Sequence, residues 1–365
     1  MYKKNYKEAA ERNKLFLKRK LMDRILFKAH VKDNPYKKME NRDTVWKDRD
    51  CLAVSDPEWA IENCRYSAMI YQDIDDDTIP EGYPTLHFGE SFYSAMLGGE
   101  IQFIGTEYHT CSGAKPIIHS ALDIEKLKGY ENNHWVEVFK KTAKFFANKA
   151  RGNFWLKYMI AIDALNLAVE LMGTTDAYIM LYEDEKLLRE IMKFGVEYNF
   201  WFYKLQKEIF KQNNQEALGD PELYELYDKT WYSVDAYDLC RPETYKEIGF
   251  EYQQELINKV GGGLMHTHGT GVLNALPIIS QLKGISVIQA GRDLSFSRSS
   301  QLGTEHFHWF RKTTGDIPLS LSVSKDEFLG GIKNKSLPGG AEYICYVDNI
   351  EEANKLAYMA KEYRV

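Results

Sequence analysis

The feature that most narrows the fold is an alternation in the second half of the chain. Strand-sized apolar runs take turns with helix-length amphipathic segments. The runs are Gly263–Met265, Ile285–Ala290, Ile317–Leu321 and Tyr343–Val347, with an earlier one at Glu100–Ile104. Between and after them the spacing predicts helices over Thr244–Val260, Val272–Leu282 and Ile350–Tyr363. In the second helix Pro277 belongs at a kink or near the first turn. Helical crossovers between strands imply a parallel sheet, because a two-residue turn joins only antiparallel neighbours. The regular spacing favours a closed (β/α)8 TIM-type barrel, and 365 residues suit one barrel with additions. The first 45 or so residues read as helical and charged, with Leu15, Leu21, Ile25 and Leu26 at helical spacing. The expected organisation is an N-terminal helical segment, 1–45, packed on a barrel formed by 46–365. Gly261–Gly263 precedes a strand rather than following one, which is the wrong place for a dinucleotide-binding turn.

Composition excludes several function classes. A net charge of −6 gives no general attraction to nucleic acid or anionic lipid, and the basic run Lys14–Lys20 reads as the solvated face of a helix. The best candidate for a membrane span, Phe154–Met172, is broken by Lys157, Asp163 and Glu170, so no membrane role is expected. The chain opens on charged residues without an apolar signal segment, and its five scattered cysteines make no disulfide framework. A reducing cytoplasm is the expected compartment. The acidic stretch Asp73–Asp77 matches no calcium-loop spacing and reads as a solvated turn.

The sharpest chemical feature is His266-Thr267-His268, where an apolar strand gives way to Gly269. Residues two apart on a strand share a face, and the carboxyl end of a barrel strand is where catalytic groups collect. Two adjacent imidazoles suit a transition metal or proton transfer. The structural alternative, two rim histidines each bonded to a backbone carbonyl, has equal weight from spacing alone. A second pair, His306 and His308, falls in a helical pattern where positions two apart diverge, so it reads as surface or packing. Cys345 lies within the last strand-like run, while Cys51, Cys64, Cys111 and Cys240 show no ligand spacing. Asp235 and Tyr232 are the remaining candidates for catalysis. Trp231, Arg292, His87 and Glu90 are candidates for substrate binding, Arg292 because a guanidinium matches carboxylate or phosphate.

From about Thr85 onward the chain resembles the uroporphyrinogen decarboxylase-like superfamily. The resemblance rests on the order of several stretches: Gly89–Phe103, Pro116–Ile118 with Asp123–Leu127, Asp163–Gly173 with Asp184, Ser233–Tyr252 with Pro242, Lys283–Ile288 and Asp326–Leu329. It is nearest to the zinc-dependent corrinoid methyltransferases, which carry His-x-Cys after the strand and a second Cys near the C-terminus. Matched by position, these are His266, His268 in place of the first cysteine, and Cys345. A neutral imidazole in place of a thiolate makes such a site less anionic, favouring water or carboxylate over a strongly nucleophilic sulfur. The decarboxylase branch has an arginine-rich substrate loop that this chain lacks, and no histidine follows His308.

The resemblance implies methyl transfer from a methylated corrinoid, carried by a partner protein, to a small-molecule thiol at zinc. Asp235 would orient a histidine, Arg292 would hold a substrate anion and Tyr232 would line the pocket. Two rivals accompany this expectation. One is a metal-free decarboxylase or lyase of a carboxylated, tetrapyrrole-like substrate; the other is a barrel that binds a tetrapyrrole or corrinoid without chemistry.

Overall fold

Eleven strands are defined in a computed structural model that describes residues 1–36, 57–83, 91–105, 110–268, 271–291 and 303–365. In chain order they are β1 (Ile25–Val31), β2 (Glu81–Gly82), β3 (Ile101–Gly105), β4 (Thr110–Ala114), β5 (Trp155–Leu156) and β6 (Ala161–Ile162). They continue with β7 (Trp231–Ser233), β8 (Leu264–His268), β9 (Val287–Gly291), β10 (Leu319–Val323) and β11 (Ala341–Val347). Seven of them form one sheet in the order β1-β11-β10-β9-β8-β7-β6, with every pairing parallel. β2 and β5 make a separate two-residue parallel pair.

The alternation read from the sequence is therefore an α/β fold with a parallel central sheet. Helix Phe250–Val260 precedes β8, and Gly271–Ile279, Glu305–Thr314, Lys325–Asn334 and Ile350–Glu362 separate or follow β8 to β11. Pro277 sits in the last turn of its helix, not the first. The run at Glu100–Ile104 is a strand, but it pairs antiparallel with β4 outside the main sheet. No helix among the described residues is long and apolar enough to cross a membrane.

The N-terminal expectation needs correcting. Tyr6–Leu17 is a helix, but Ile25 and Leu26 begin strand β1, which pairs along its length with β11. The first 45 residues thus contribute a strand to the main sheet. Helical spacing was misleading because Ile25, Leu26 and Phe27 are all fully buried, and a short run buried on both faces has no period to read.

Asp73–Asp77 is not a solvated turn either. Asp76 and Asp77 are 1% and 2% exposed. The backbone N–H of Phe27 donates to Asp77 Oδ2 at 2.9 Å and that of Ala29 to Asp76 Oδ2 at 2.8 Å. Asp77 N–H in turn donates to Phe27 O at 2.9 Å. Two carboxylates thus take acceptor places that a neighbouring strand would fill. Arg12 (2.6 Å to Asp77) and Lys3 (2.7 Å to Asp76) neutralise them.

A second set of side chains does the same for the short strands β5 and β6. The 34-residue helix Glu185–Leu218 buries Asn199, Gln206 and Asn213 at intervals of seven, with Asn214 beside the last. Seven residues are close to two helical turns, so these amides share one face. Asn214 accepts from Leu156 N–H at 2.7 Å and donates to Leu156 O at 2.9 Å. Gln206 accepts from Met159 N–H at 2.6 Å, and Asn199 donates to Ile162 O at 2.8 Å. Each satisfies a buried backbone group that a two-residue strand leaves open.

Asp77→Ala is expected to destabilise the protein by about 2–4 kcal/mol, because it removes the carboxylate partner of the part-buried Arg12 guanidinium and leaves the buried Phe27 N–H without its acceptor. Lys4→Ala, which removes an ion pair whose lysine is 76% exposed, should stay within about 0.5 kcal/mol of wild type. Urea midpoints at unchanged m-value measure both; equal small shifts would contradict the assignment.

Candidate functional site

Strand parity decides which side chains meet. On β8, Met265 and Thr267 are buried, and on β10 Leu319, Leu321 and Val323 are fully buried. Ile288 on β9 and Tyr343 on β11 join the same core. The alternate residues face the other side of the sheet, called the inner face below. There the register places Ser233, His266, Gln289, Ser320 and Glu342 in one row across β7, β8, β9, β10 and β11.

His266 is half-buried in this row, and its Nδ1 lies 2.6 Å from Gln289 Oε1. An amide oxygen only accepts, so Nδ1 carries a proton, and in the neutral form of the ring the lone pair is on Nε2. His268 closes β8 opposite Gly291. Asp235 opens the 3-10 turn after β7 and accepts from the Ser233 hydroxyl. Ser233 is the register partner of His266, so Asp235 belongs to the same end of the sheet.

Beside the row is a cavity of about 610 Å³, lined among others by Lys28, His30, Glu81, Lys157, Trp231, Gln289 and Glu342. Trp231 is half-buried, with the Lys157 ammonium 3.4 Å from its ring centroid; Lys157 also pairs with Glu81 at 3.3 Å. Lys28 pairs with Glu342 at 2.6 Å. Burial opposes the Lys28 charge, but attraction and hydrogen bonding to Glu342 outweigh it and raise its pKa. His30 opens onto the cavity and stacks on Tyr346, ring centroids 5.2 Å apart. The protein around it lowers its pKa by desolvation, and Lys28 and Lys157 add to this against Glu81 and Asp76.

Two sequence expectations fail on parity. Cys345 is opposite Ala29 and Val323, both buried on the helix side, while Glu342 and Ile344 face the cavity. It does not join the histidines. Burial raises its thiol to about 12, and the charges acting on it are Glu352, Lys325 and Glu327, from the two last helices. Tyr232 also faces the helices, fully buried, and its hydroxyl donates to Gly262 O at 2.7 Å. A Cβ on Gly263 would lie 2.1 Å from the Tyr232 ring, and Gly263 has φ +152°, so glycine is required there for close packing and not for a ligand.

Arg292, His87 and Glu90 lie outside the described residues. Among the described residues no group of three or more His, Cys, Asp or Glu side chains is arranged to hold a metal. His306 and His308 are on the helix Glu305–Thr314, as expected, with His308 exposed. Sequence reading missed Lys28, His30, Gln289, Ser320 and Glu342. The signal was present as alternation: Phe27-Lys28-Ala29-His30 and Leu319-Ser320-Leu321-Ser322 each set polar side chains at period two between apolar ones.

No family model matches the chain, and no curated protein matches it. Solved structures do. A methyltransferase from Methanosarcina mazei superposes with a TM-score of 0.61 at 12% identity, covering 97% of this chain and 98% of that one. At this identity the likeness is one of fold, extending over the full length of both.

The Cys345 thiol is expected to resist alkylation in the native protein at neutral pH and to react after denaturation. Its protonated form is the one that folding favours, so its contribution to stability is whole below the ordinary thiol range near 8.5. That contribution falls away as pH rises toward about 12. Mass-spectrometric mapping of thiol labelling checks this; rapid native labelling of Cys345 would contradict its placement.

Proposed function

We propose that this chain is a methyl-transferring enzyme on a (β/α)8 barrel of the uroporphyrinogen decarboxylase-like type. In this reading β5 and β6 are two halves of one strand position, which with β1, β2 and β7 to β11 makes eight. The carboxylates of Asp76 and Asp77 on β1 complete the ring. The fold likeness over the full chain length and the order of the sequence stretches both support this reading.

The observation that carries the site is the His266 Nδ1 contact with Gln289 Oε1, which leaves Nε2 as the ligating nitrogen of the neutral ring. Metal-bound imidazoles are held in this way, the second nitrogen donating to a fixed acceptor. His266 fits a metal ligand and Cys345 does not; His268, whose side chain lies outside the described residues, is proposed as companion on strand parity alone. The ligand set is therefore not the one that the resemblance implies, and any third protein ligand is another residue. Zinc at such a site keeps an acceptor sulfur as thiolate near neutral pH. The chain's own groups orient and enclose: Gln289 holds the His266 proton, Asp235 holds Ser233, and Trp231 with Lys157 forms a cavity wall. A methylated corrinoid on a partner protein is the proposed donor, and a small thiol is the acceptor. A reducing cytoplasm, where that thiol stays reduced, is the compartment this chemistry requires.

One observation favours a second reading. The cavity presents Lys28 and Lys157, which a carboxylated substrate would share with their partners Glu342 and Glu81, and His266 with Asp235 would then serve as acid and base without metal.

Zinc analysis of protein purified without added metal separates the two. The methyltransferase reading predicts bound zinc and transfer from methylcobalamin to a thiol, with both lost, the rate by more than about 100-fold, in His266→Ala. Absence of zinc, with turnover of a carboxylated substrate surviving a chelator, would establish the second reading instead.

A further inference from the structure

The charges that line the cavity of about 610 Å³ are Lys28, Lys32, Lys157, Glu81 and Glu342. Lys32, just past the end of β1, is neutralised by Asp348 at 3.1 Å, outside the lining. The other four pair within the lining itself, Lys28 with Glu342 at 2.6 Å and Lys157 with Glu81 at 3.3 Å. His30 adds no charge near neutral pH, because desolvation, helped by Lys28 and Lys157, lowers its pKa. The wall thus presents two ammonium groups and two carboxylates in balance. Among the described residues each has one ion-pair partner. An ammonium has three N–H groups and a carboxylate two oxygens, so each pair keeps hydrogen-bonding capacity of both kinds. Val31, Ile70, Ile79 and Ile344 give the same cavity an apolar wall.

We propose that this cavity binds a small zwitterion, an α-amino acid with an apolar side chain. A ligand with a carboxylate alone would meet Lys28 and Lys157 but bring its charge against Glu81 and Glu342. A ligand with an ammonium alone meets the reverse conflict. Glu342 is buried and Lys28 and Lys157 are half-buried, so water screens such repulsion poorly. An α-amino acid carries both charges on adjacent atoms. Its carboxylate accepts from the lysines and its ammonium donates to the glutamates, so each protein charge keeps its partner and gains a second of opposite sign. The side chain then lies along the apolar wall, a surface that a sugar or other polyol would leave unsatisfied. The inference deepens the proposed function by naming its substrate class: the acceptor thiol, or the carboxylated substrate of the second reading, would also carry an amino group. It rests on that reading only for what happens to the bound molecule. Binding itself is independent of the reaction.

Isothermal titration calorimetry on the full-length protein tests it at neutral pH. The probes are L-leucine and L-methionine as zwitterions, isocaproate as the carboxylate alone and isoamylamine as the ammonium alone. At least one amino acid is expected to bind about tenfold or more tightly than either single-charge probe, the factor that one lost charged hydrogen bond implies. Glu81→Gln and Lys157→Gln alter the more exposed pair and remove one sign each. Glu81→Gln should move the preference toward isocaproate, and Lys157→Gln toward isoamylamine. Circular dichroism checks that both variants fold; if one does not, the wild-type selectivity decides. Tighter wild-type binding of a single-charge probe, no binding of either amino acid at millimolar concentration, or unchanged selectivity in both folded variants would overturn the proposal. Amino-acid binding by a protein that transfers no methyl group would remove the proposed reaction and leave the site. Methyl transfer to an anionic thiol, with no amino-acid binding, would do the reverse.

Discussion

Every backbone N–H and C=O taken out of water must find a partner, and this fold meets that demand in two ways. From β7 to β11, parallel strands supply the partners themselves. Elsewhere the strands are as short as two residues, and side chains take over. Asp76 and Asp77 accept from the N–H groups of β1. Asn199, Gln206 and Asn214 serve the segment holding β5 and β6. An unsatisfied buried amide costs roughly 1–3 kcal/mol, so several of them together rival the net stability of a domain. The same demand explains the buried charges. Carboxylates can act as ladder acceptors in the interior only if Lys3 and Arg12 neutralise them.

With the irregular strands secured by side chains, the register of β7 to β11 sets the chemistry. Each strand divides its residues between a dry helix-facing layer and a polar inner face. Placing His266 on the inner face puts Met265 and Thr267 in the dry layer, and the register carries that choice to Gln289, Ser320 and Glu342. The same parity sends Tyr232 and Cys345 outward. An inner face lined by Lys28, Lys157 and Glu342 is polar and can hold charge, whereas a thiol among apolar side chains stays protonated.

What could be read from the sequence follows from the same physics. β8 to β11 and their helices were legible because each is long enough to show its period, and His266 stood out where an apolar strand ends. β1 was not, because Ile25, Leu26 and Phe27 are buried on both faces and mimic a helix start. The acidic stretch at 73–77 was misread because charge in a sequence implies water, while its counter-ions lie more than 60 positions away on Lys3 and Arg12. Cys345 was misplaced by one step of parity: Glu342 and Ile344, not Cys345, face the cavity. Alternation in Leu319–Val323 and Ala341–Val347 holds that information, because each run has an apolar face and a mixed one.

Chemistry organised around His266 excludes the helix-facing Cys345. Anomalous diffraction at the zinc edge from crystals of the full-length protein addresses this directly. A single peak is expected about 2.0–2.1 Å from His266 Nε2, the ordinary zinc–imidazole distance, with Cys345 Sγ outside its coordination sphere. A peak bonded to Cys345, or a metal bound through His266 Nδ1 with Gln289 displaced, would contradict it.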